Sequence, residues 1–363
     1  MRVLYFGTYE SDYPRNAAVI ACLRHAGVDV TEWHSPVWES QRHKYAAGVG
    51  SALRLARAEL RLVRRPRVDF DAMIVGYPGH FDMPLARRVA GRRPLVFNPA
   101  VSLYDALVLD RRRWKTTSVP ARALKAIDRH AFRLADLVVA DTAGNADFLL
   151  SYAGLERERV AVCFLGADES VFRPGWSRTE PFRCFYHGKL IPNHGLETIL
   201  EAARLAPEVL FRIAGTGQLE GLLEAGLPPN VEWVRWVERS LLPQELWTAG
   251  CALGIFGRSE KVGRVIATKT VEALACGTPV VTADTPGARE LLTDGVDALL
   301  VPPGDAAALA EAVLRLAADG DFAERIGAAG GHVYRERVSE AVLGARWRSL
   351  LEEVVAQRSG PRD

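Results

Sequence analysis

Val271-Glu272-Ala273-Leu274-Ala275-Cys276-Gly277-Thr278-Pro279-Val280-Val281 joins the last turns of a helix spanning 268–276 to a strand near 280–282. A periodic segment of helix length followed at once by a short β-branched run is the repeating unit of parallel sheets with crossover helices. The same alternation extends in both directions. Upstream, strands read near 182–187, 210–214, 231–237 and 252–256, with a helix at 196–205. Downstream, a strand near 299–301 precedes helical segments at 306–318, 322–330 and 338–355, the last long enough to pack back across a domain junction. Together these make one doubly wound α/β domain.

Residues 168–181 interrupt the pattern with two prolines, a glycine and polar residues of no period, which reads as a linker. Ahead of it, strands near 3–6, 28–33, 72–76, 95–97, 137–140 and 160–164 alternate with helices such as 15–25, which Gly27 is placed to stop, and 119–134. The expectation is two Rossmann-like domains, 1–170 and 171–337, with 338–363 returning to the first. Ligands bind open α/β sheets outside the carboxyl ends of the strands, so two such domains facing each other would form a cleft. Alternation alone fits a dehydrogenase, a sugar-nucleotide epimerase or a two-domain solute-binding protein equally well.

A chain of 363 residues with 48% hydrophobic content supports two cores. The net charge is +2, but residues 1–175 carry roughly seven more basic than acidic groups and the remainder roughly five more acidic than basic. Cys22, Cys163, Cys184, Cys251 and Cys276 sit mostly inside apolar runs, with no spacing that suits zinc, so reduced core thiols and no metal are expected. Met1 to Phe6 runs directly into a strand, and no later apolar run nears the roughly 20 residues that span a bilayer. A cytoplasmic protein without a leader is expected.

Five segments, in order, resemble glycosyltransferase family 4. Gly166-Ala167-Asp168 with Phe172-Arg173-Pro174 is similar to the family's linker pattern, and His187-Gly188-Lys189-Leu190-Ile191-Pro192-Asn193-His194-Gly195 to its basic loop. Phe211-Arg212-Ile213-Ala214-Gly215-Thr216-Gly217 resembles a strand closing in Gly-x-Gly. The opening stretch from Val271 is the most specific of the set, and Arg289-Glu290-Leu291-Leu292 through Pro302-Pro303-Gly304-Asp305 looks like the closing pattern. The likeness implies the two-domain GT-B fold. It also implies retaining transfer of a hexose-type sugar from a nucleotide-diphosphate donor on the C-terminal domain to an acceptor hydroxyl, with no bound cofactor.

The chemistry asks for these residue types independently. Breaking a sugar–phosphate bond puts negative charge on the departing diphosphate, so cations and helix amides aimed there lower the barrier. Lys189, beside Gly188 at a strand end, and Lys269, beside Thr268 at the start of a helix, are the candidates. Glu272 lies one turn after Lys269 on the same face, and the resemblance implies that it accepts both ribose hydroxyls. Gly215 and Gly217 open the loop beside the nucleoside, and Val237 is expected to meet the base through its backbone. The family pattern has two glutamates separated by seven residues; here Arg264 stands in the first position, with Glu260 four residues too early. The usual Arg and Lys of the basic loop are Lys189 and His194.

On the N-terminal side the strand-end loop from Gly7 to Asn16, with Tyr9 and Arg15, is the candidate acceptor loop, joined by 76–80 with His80. Asp105 stands where the family often has a histidine and is expected to touch the acceptor hydroxyl or the transferred sugar. Plainer roles are open for each: a helix-surface pair for Lys269 and Glu272, a solvated Lys189, packing for His194, a cap for Asp105. Residues 42–67 put Arg54, Arg57, Arg61 and Arg64 on one helical face beside Leu53, Ala56, Leu60 and Val63. This is either a solvated face on a packed helix or a peripheral contact with a membrane carrying a lipid-linked acceptor. The basic stripe has no interleaved aromatics, so no nucleic acid partner is expected. An epimerase on the same fold, or a nucleotide-sugar-binding protein without turnover, remains the alternative.

Overall fold

The computed structural model describes residues 1–11, 13–37, 49–63, 68–99 and 101–359, the side chains of 49–52 and 359 excepted. The chain divides into two compact units, Met1–Phe164 with Leu343–Asp363, and Leu165–Val342.

In the first unit, strands β1 (Arg2–Gly7), β2 (Asp29–His34), β3 (Ala72–Val75), β4 (Leu95–Phe97), β5 (Leu137–Ala140) and β6 (Val160–Val162) form a parallel sheet of order β2-β1-β3-β4-β5-β6. The crossovers carry helices α1 (Pro14–His25), α2 (Val49–Val63), α3 (Met83–Ala90), α4 (Val119–Leu134) and α5 (Ala143–Ala153). Strands β3, β4 and β5 are buried along their whole length, as unbroken apolar runs covered by helices on both faces must be. Ser118 caps α4 and Thr142 caps α5, each accepting an amide three residues on.

The second unit repeats the plan. Strands β7 (Arg183–His187), β8 (Leu210–Ala214), β9 (Val231–Val234), β10 (Cys251–Leu253), β11 (Val280–Ala283) and β12 (Leu299–Val301) pair in parallel in the order β12-β11-β10-β7-β8-β9. Helices α6 (Leu196–Leu205), α7 (Glu220–Glu224), α8 (Leu242–Trp247), α9 (Thr268–Cys276), α10 (Pro286–Arg289), α11 (Ala306–Ala318) and α12 (Gly320–Val333) cover it. A final helix, α13 (Glu340–Ser359), belongs to the first unit from Leu343 onward. Its Trp347, Leu350, Leu351 and Val354 are buried, and Gly344 lies so close to the Cys22 carbonyl that an added Cβ would fall 2.4 Å from it.

Three sequence expectations change. The strand expected over 231–237 stops at Val234, because its neighbour β8 ends at Ala214, the partner of Val234, and leaves Arg235 to Val237 nothing to pair with. The strand expected over 252–256 is Cys251–Leu253; Gly254 and Ile255 keep backbone bonds to Val281 and Ala283, while the amide of Ile255 turns to the Thr282 hydroxyl. Helix α2 turns Leu55, Ala58 and Leu62 inward, so that Leu53, Ala56, Leu60 and Val63 face solvent with Arg54, Arg57 and Arg61. Positions 42–48 and 64–67 of that basic segment, Arg64 among them, lie outside the described residues, as does Asp12 of the candidate acceptor loop.

Candidate functional site

The carboxyl ends of β7 and β8 meet at backbone contact. Gly188, at φ 132°, donates its amide to the Ala214 carbonyl, and the Leu190 amide bonds to Thr216. A Cβ on Gly215, at φ 151°, would lie 1.9 Å from the Gly188 carbonyl oxygen, so both positions require glycine for conformation and for space. Gly217 is pressed against Leu190 in the same way. The next turn, Pro192–His194, is strapped to the end of the β10 segment by the amides of Phe256 and Gly257, which bond to the carbonyls of His194 and Asn193.

Helix α9 begins beside this loop. It opens at Thr268 and delivers Lys269, buried, with Nζ 4.4 Å from the centre of the Tyr186 ring and 3.2 Å from His194 Nδ1. The His194 Nδ1 and the Tyr186 hydroxyl both lie on the Lys189 carbonyl, at 2.5 and 3.0 Å. A carbonyl only accepts, so this geometry assigns the His194 proton to Nδ1 and leaves Nε2 as the acceptor. The Lys269 ammonium donates to the Tyr186 hydroxyl oxygen at 3.4 Å and lies over the face of the same ring. Burial lowers its pKa to about 7, against an opposing pull from the Glu272 carboxylate.

Glu272 follows one turn later, also buried. Burial lifts its carboxyl to about 7, although Arg239 and Lys269 favour the ionised form. Arg239 reaches Asp168 at 3.2 Å. His187, at the end of β7, places Nε2 3.7 Å from Glu272 Oε2 and stacks on Phe185; burial first, and Lys269 second, push its pKa down to about 3, so it is neutral. The structure thus brings together Gly188, His194, Gly215, Lys269 and Glu272. Lys189 joins through its carbonyl while its side chain is exposed. Arg264 ends the turn Val262–Arg264, whose backbone presses on Gly287, and is half-buried there. Val237 lies half-buried beyond the end of β9.

Sequence reasoning missed His187, Tyr186, Arg239 and Asp168 as members of this cluster. His187 and Asp168 stood inside quoted motifs, and His187 directly precedes Gly188. Arg239 meets Asp168 across 71 residues, and nothing local marks it.

In the first unit the candidate residues are engaged internally. The Tyr9 hydroxyl donates to Glu32, and Asn16 receives the Tyr5 hydroxyl and Tyr77 amide while donating to the carbonyls of Glu10 and Tyr77. Arg15 bonds to Asn98 and the Val139 carbonyl, 3.8 Å from Asp141. Gly7, at φ 128°, lets Asp82 come close enough to accept from the amide and hydroxyl of Thr8. His80 is buried edge-on against Phe97 and Phe132, its Nε2 3.5 Å from Asp128. That carboxylate also takes the Ser102 and Tyr152 hydroxyls and the amides of Leu103 and Tyr104, fixing the turn before Asp105, which is itself buried at the head of a π-helical turn, Asp105–Asp110.

Two Rossmann-like parallel sheets, the second with cations and a helix start gathered at its strand ends, define the GT-B glycosyltransferase fold. Residues 181–319 match the family model for glycosyl transferases group 1. The chain is 29% identical over 251 residues to the D-inositol 3-phosphate glycosyltransferase of Thermobifida fusca, covering 61% of this chain and 55% of that protein. It is 30% identical over 260 residues to the alpha-maltose-1-phosphate synthase of Mycolicibacterium smegmatis, covering 63% and 64%. The match therefore spans less than two thirds of the length of these curated relatives. Among solved structures it resembles sucrose-phosphate synthase from Thermosynechococcus elongatus, with TM-score 0.73 at 16% identity over 98% of this chain and 99% of that one. It also resembles Anabaena HepE in complex with UDP-glucose, with TM-score 0.68 at 17% identity over 97% and 100%. At these identities the likeness is one of fold.

Proposed function

We propose that the chain is a retaining glycosyltransferase that moves a hexose-type sugar from a nucleotide-diphosphate donor on the second unit to an acceptor hydroxyl. The observation that carries this reading is Lys269, held at the first turn of α9 beside Gly188 and His194 with Glu272 one turn behind it. A buried lysine costs stability unless its charge meets a counterion, and a diphosphate at the strand ends supplies one. There Lys269, the Lys189 side chain and the α9 amides would face the charge that develops on the leaving phosphate. The nucleoside would lie along Gly215, Gly217 and Val237, with its ribose hydroxyls on Glu272 and the sugar toward Thr268 and Arg264. His194, accepting at Nε2, would take a hydroxyl of the donor.

Retention is consistent with attack on the face the phosphate leaves, the phosphate oxygen taking the acceptor proton, so that no protein base is required. Asp105 is the residue we assign to steady the acceptor or the sugar, with Gly7, Tyr9, Arg15, Asn16 and His80 as the other acceptor-side candidates. A small-molecule, glycan or lipid-linked acceptor suits relatives named for an inositol phosphate and a maltose phosphate. Cys184 and Cys251 lie with their sulfurs 3.4 Å apart as free thiols, which supports a reducing, cytoplasmic setting. Peripheral membrane contact through residues 42–67 belongs to the same reading, and no described helix is long and apolar enough to cross a membrane.

Lys269→Ala and Glu272→Ala are each expected to lower transfer by about 100- to 1,000-fold with the fold retained. Full activity in both overturns the site. Tight nucleotide-sugar binding with no product from any acceptor would instead indicate a binding protein, the reading that Arg264 in place of a glutamate favours. Turnover is expected to survive a chelator.

A further inference from the structure

Between Arg111 and Ile127 the chain has Arg111, Arg112, Arg113, Lys115, Arg122 and Lys125, and no acidic residue. Bracketing the first four cations are two aliphatic side chains that the fold leaves in solvent, Leu109 at 40% and Val119 at 68% exposure. Trp114 lies among them, half-buried, with the Arg113 guanidinium 4.9 Å above its ring. The segment is held in place by its own backbone: the Arg113 amide bonds to the Leu107 carbonyl, Ser118 to Lys115, and Ser118 caps α4. Arg112 takes a left-handed φ of 50°, which turns the chain sharply in the middle of the basic run.

Helix α2 has the same composition on its outer face, with Leu53, Leu60 and Val63 all more than half exposed beside Arg54, Arg57 and Arg61. Right-handed crossovers that move from β2 through β3, β4 and β5 in one direction put α2, α3 and α4 on one face of the sheet, opposite α1. The three helices pack in series. Both patches therefore belong to one face of the first unit, and the 109–119 segment lies at its carboxyl edge, where α4 begins.

We infer that segment 109–119, together with the outer face of α2, docks this unit on an anionic lipid bilayer. The cations alone would suit any polyanion. Exposed leucine and valine beside arginine, with an indole between, match a surface that offers negative headgroups and hydrocarbon within one side-chain length of each other. The inference rests on and extends the peripheral membrane contact proposed above for residues 42–67, and its test reads lipid binding separately from sugar transfer.

The test is flotation of the full chain with vesicles of phosphatidylcholine alone and of phosphatidylcholine with phosphatidylglycerol, which needs no donor and no turnover. Binding to the anionic vesicles is expected. It should fall by roughly two orders of magnitude in Arg112→Glu/Lys115→Glu and clearly in Leu109→Ser/Val119→Ser. All four side chains are exposed, so both variants should keep the parent melting temperature, which is measured alongside. Failure to float with anionic vesicles, or flotation unchanged in both variants, overturns the inference. Binding that heparin abolishes and that Leu109→Ser/Val119→Ser leaves untouched identifies a polyanion site and overturns it equally.

Discussion

His187 and Glu272 stand 3.7 Å apart, imidazole Nε2 to carboxylate Oε2, both buried at the strand ends of the second unit. In the neutral tautomer protonated at Nε2, that proton points at Glu272 Oε2, which leaves the other carboxylate oxygen for a ligand. His187→Phe removes that orientation without removing bulk. We expect the donor KM to rise about tenfold while kcat changes little, because the contact acts on binding. An unchanged KM in steady-state kinetics would show that Glu272 is oriented by other groups.

Stability should dip near neutral pH. Glu272 has its carboxyl raised from 4.5 to about 7, so the stabilisation it gives is complete below pH 4.5 and is lost as pH rises to 7. Lys269 is lowered from 10.5 to about 7, so its penalty is complete below pH 7 and is relieved as pH rises toward 10.5. Melting temperature followed from pH 5 to 10 should therefore show a shallow minimum that disappears in Lys269→Met/Glu272→Gln. An identical profile in the parent and the double variant would refute it.

Binding of a nucleoside diphosphate at pH 8 should take up a proton. Lys269 is then mostly uncharged in the free protein, and a bound diphosphate favours the ammonium form. Calorimetry in two buffers of different ionisation enthalpy should report uptake of about one proton per site, absent in Lys269→Met. Binding with no buffer dependence in the parent protein would mean that Lys269 does not meet the phosphates.

Asp128 holds the first unit's central loop from below. Its carboxylate accepts from two hydroxyls and two amides and faces His80. Asp128→Ala leaves those donors buried and unpaired, and we expect a loss of about 3–5 kcal/mol by denaturant unfolding. A loss under 1 kcal/mol would show that the loop rearranges freely.

The central strands could be located from their residues because buried parallel strands are continuous apolar runs, as Ala72–Val75 and Val280–Ala283 are. Edges are harder to read, since a strand lasts only as long as its neighbour: nothing in Arg235-Trp236-Val237 itself announces that Ala214 is the last residue opposite. Helix α2 shows the converse failure. Its apolar period is plain in the sequence, but which of two interleaved stripes faces the sheet is decided by Ala58 and Leu62 fitting beneath it. At the site, Lys269 and Glu272 were legible because they share one helix turn. Arg239 and Asp168 became neighbours only through the tertiary fold.

Helix α13 gives the molecule an inverted order of completion. The Arg348 guanidinium meets the Ala26 carbonyl across 322 residues, and Arg358 pairs with Asp136. During synthesis the second unit therefore has all its strands before the first acquires its last helix. The half that emerges earliest must wait, with the surface around Cys22 uncovered, until the half that emerges later has already folded. A chain ended at residue 342 should accordingly retain a protease-resistant second unit and lose the first, the reverse of what N-to-C order alone would give.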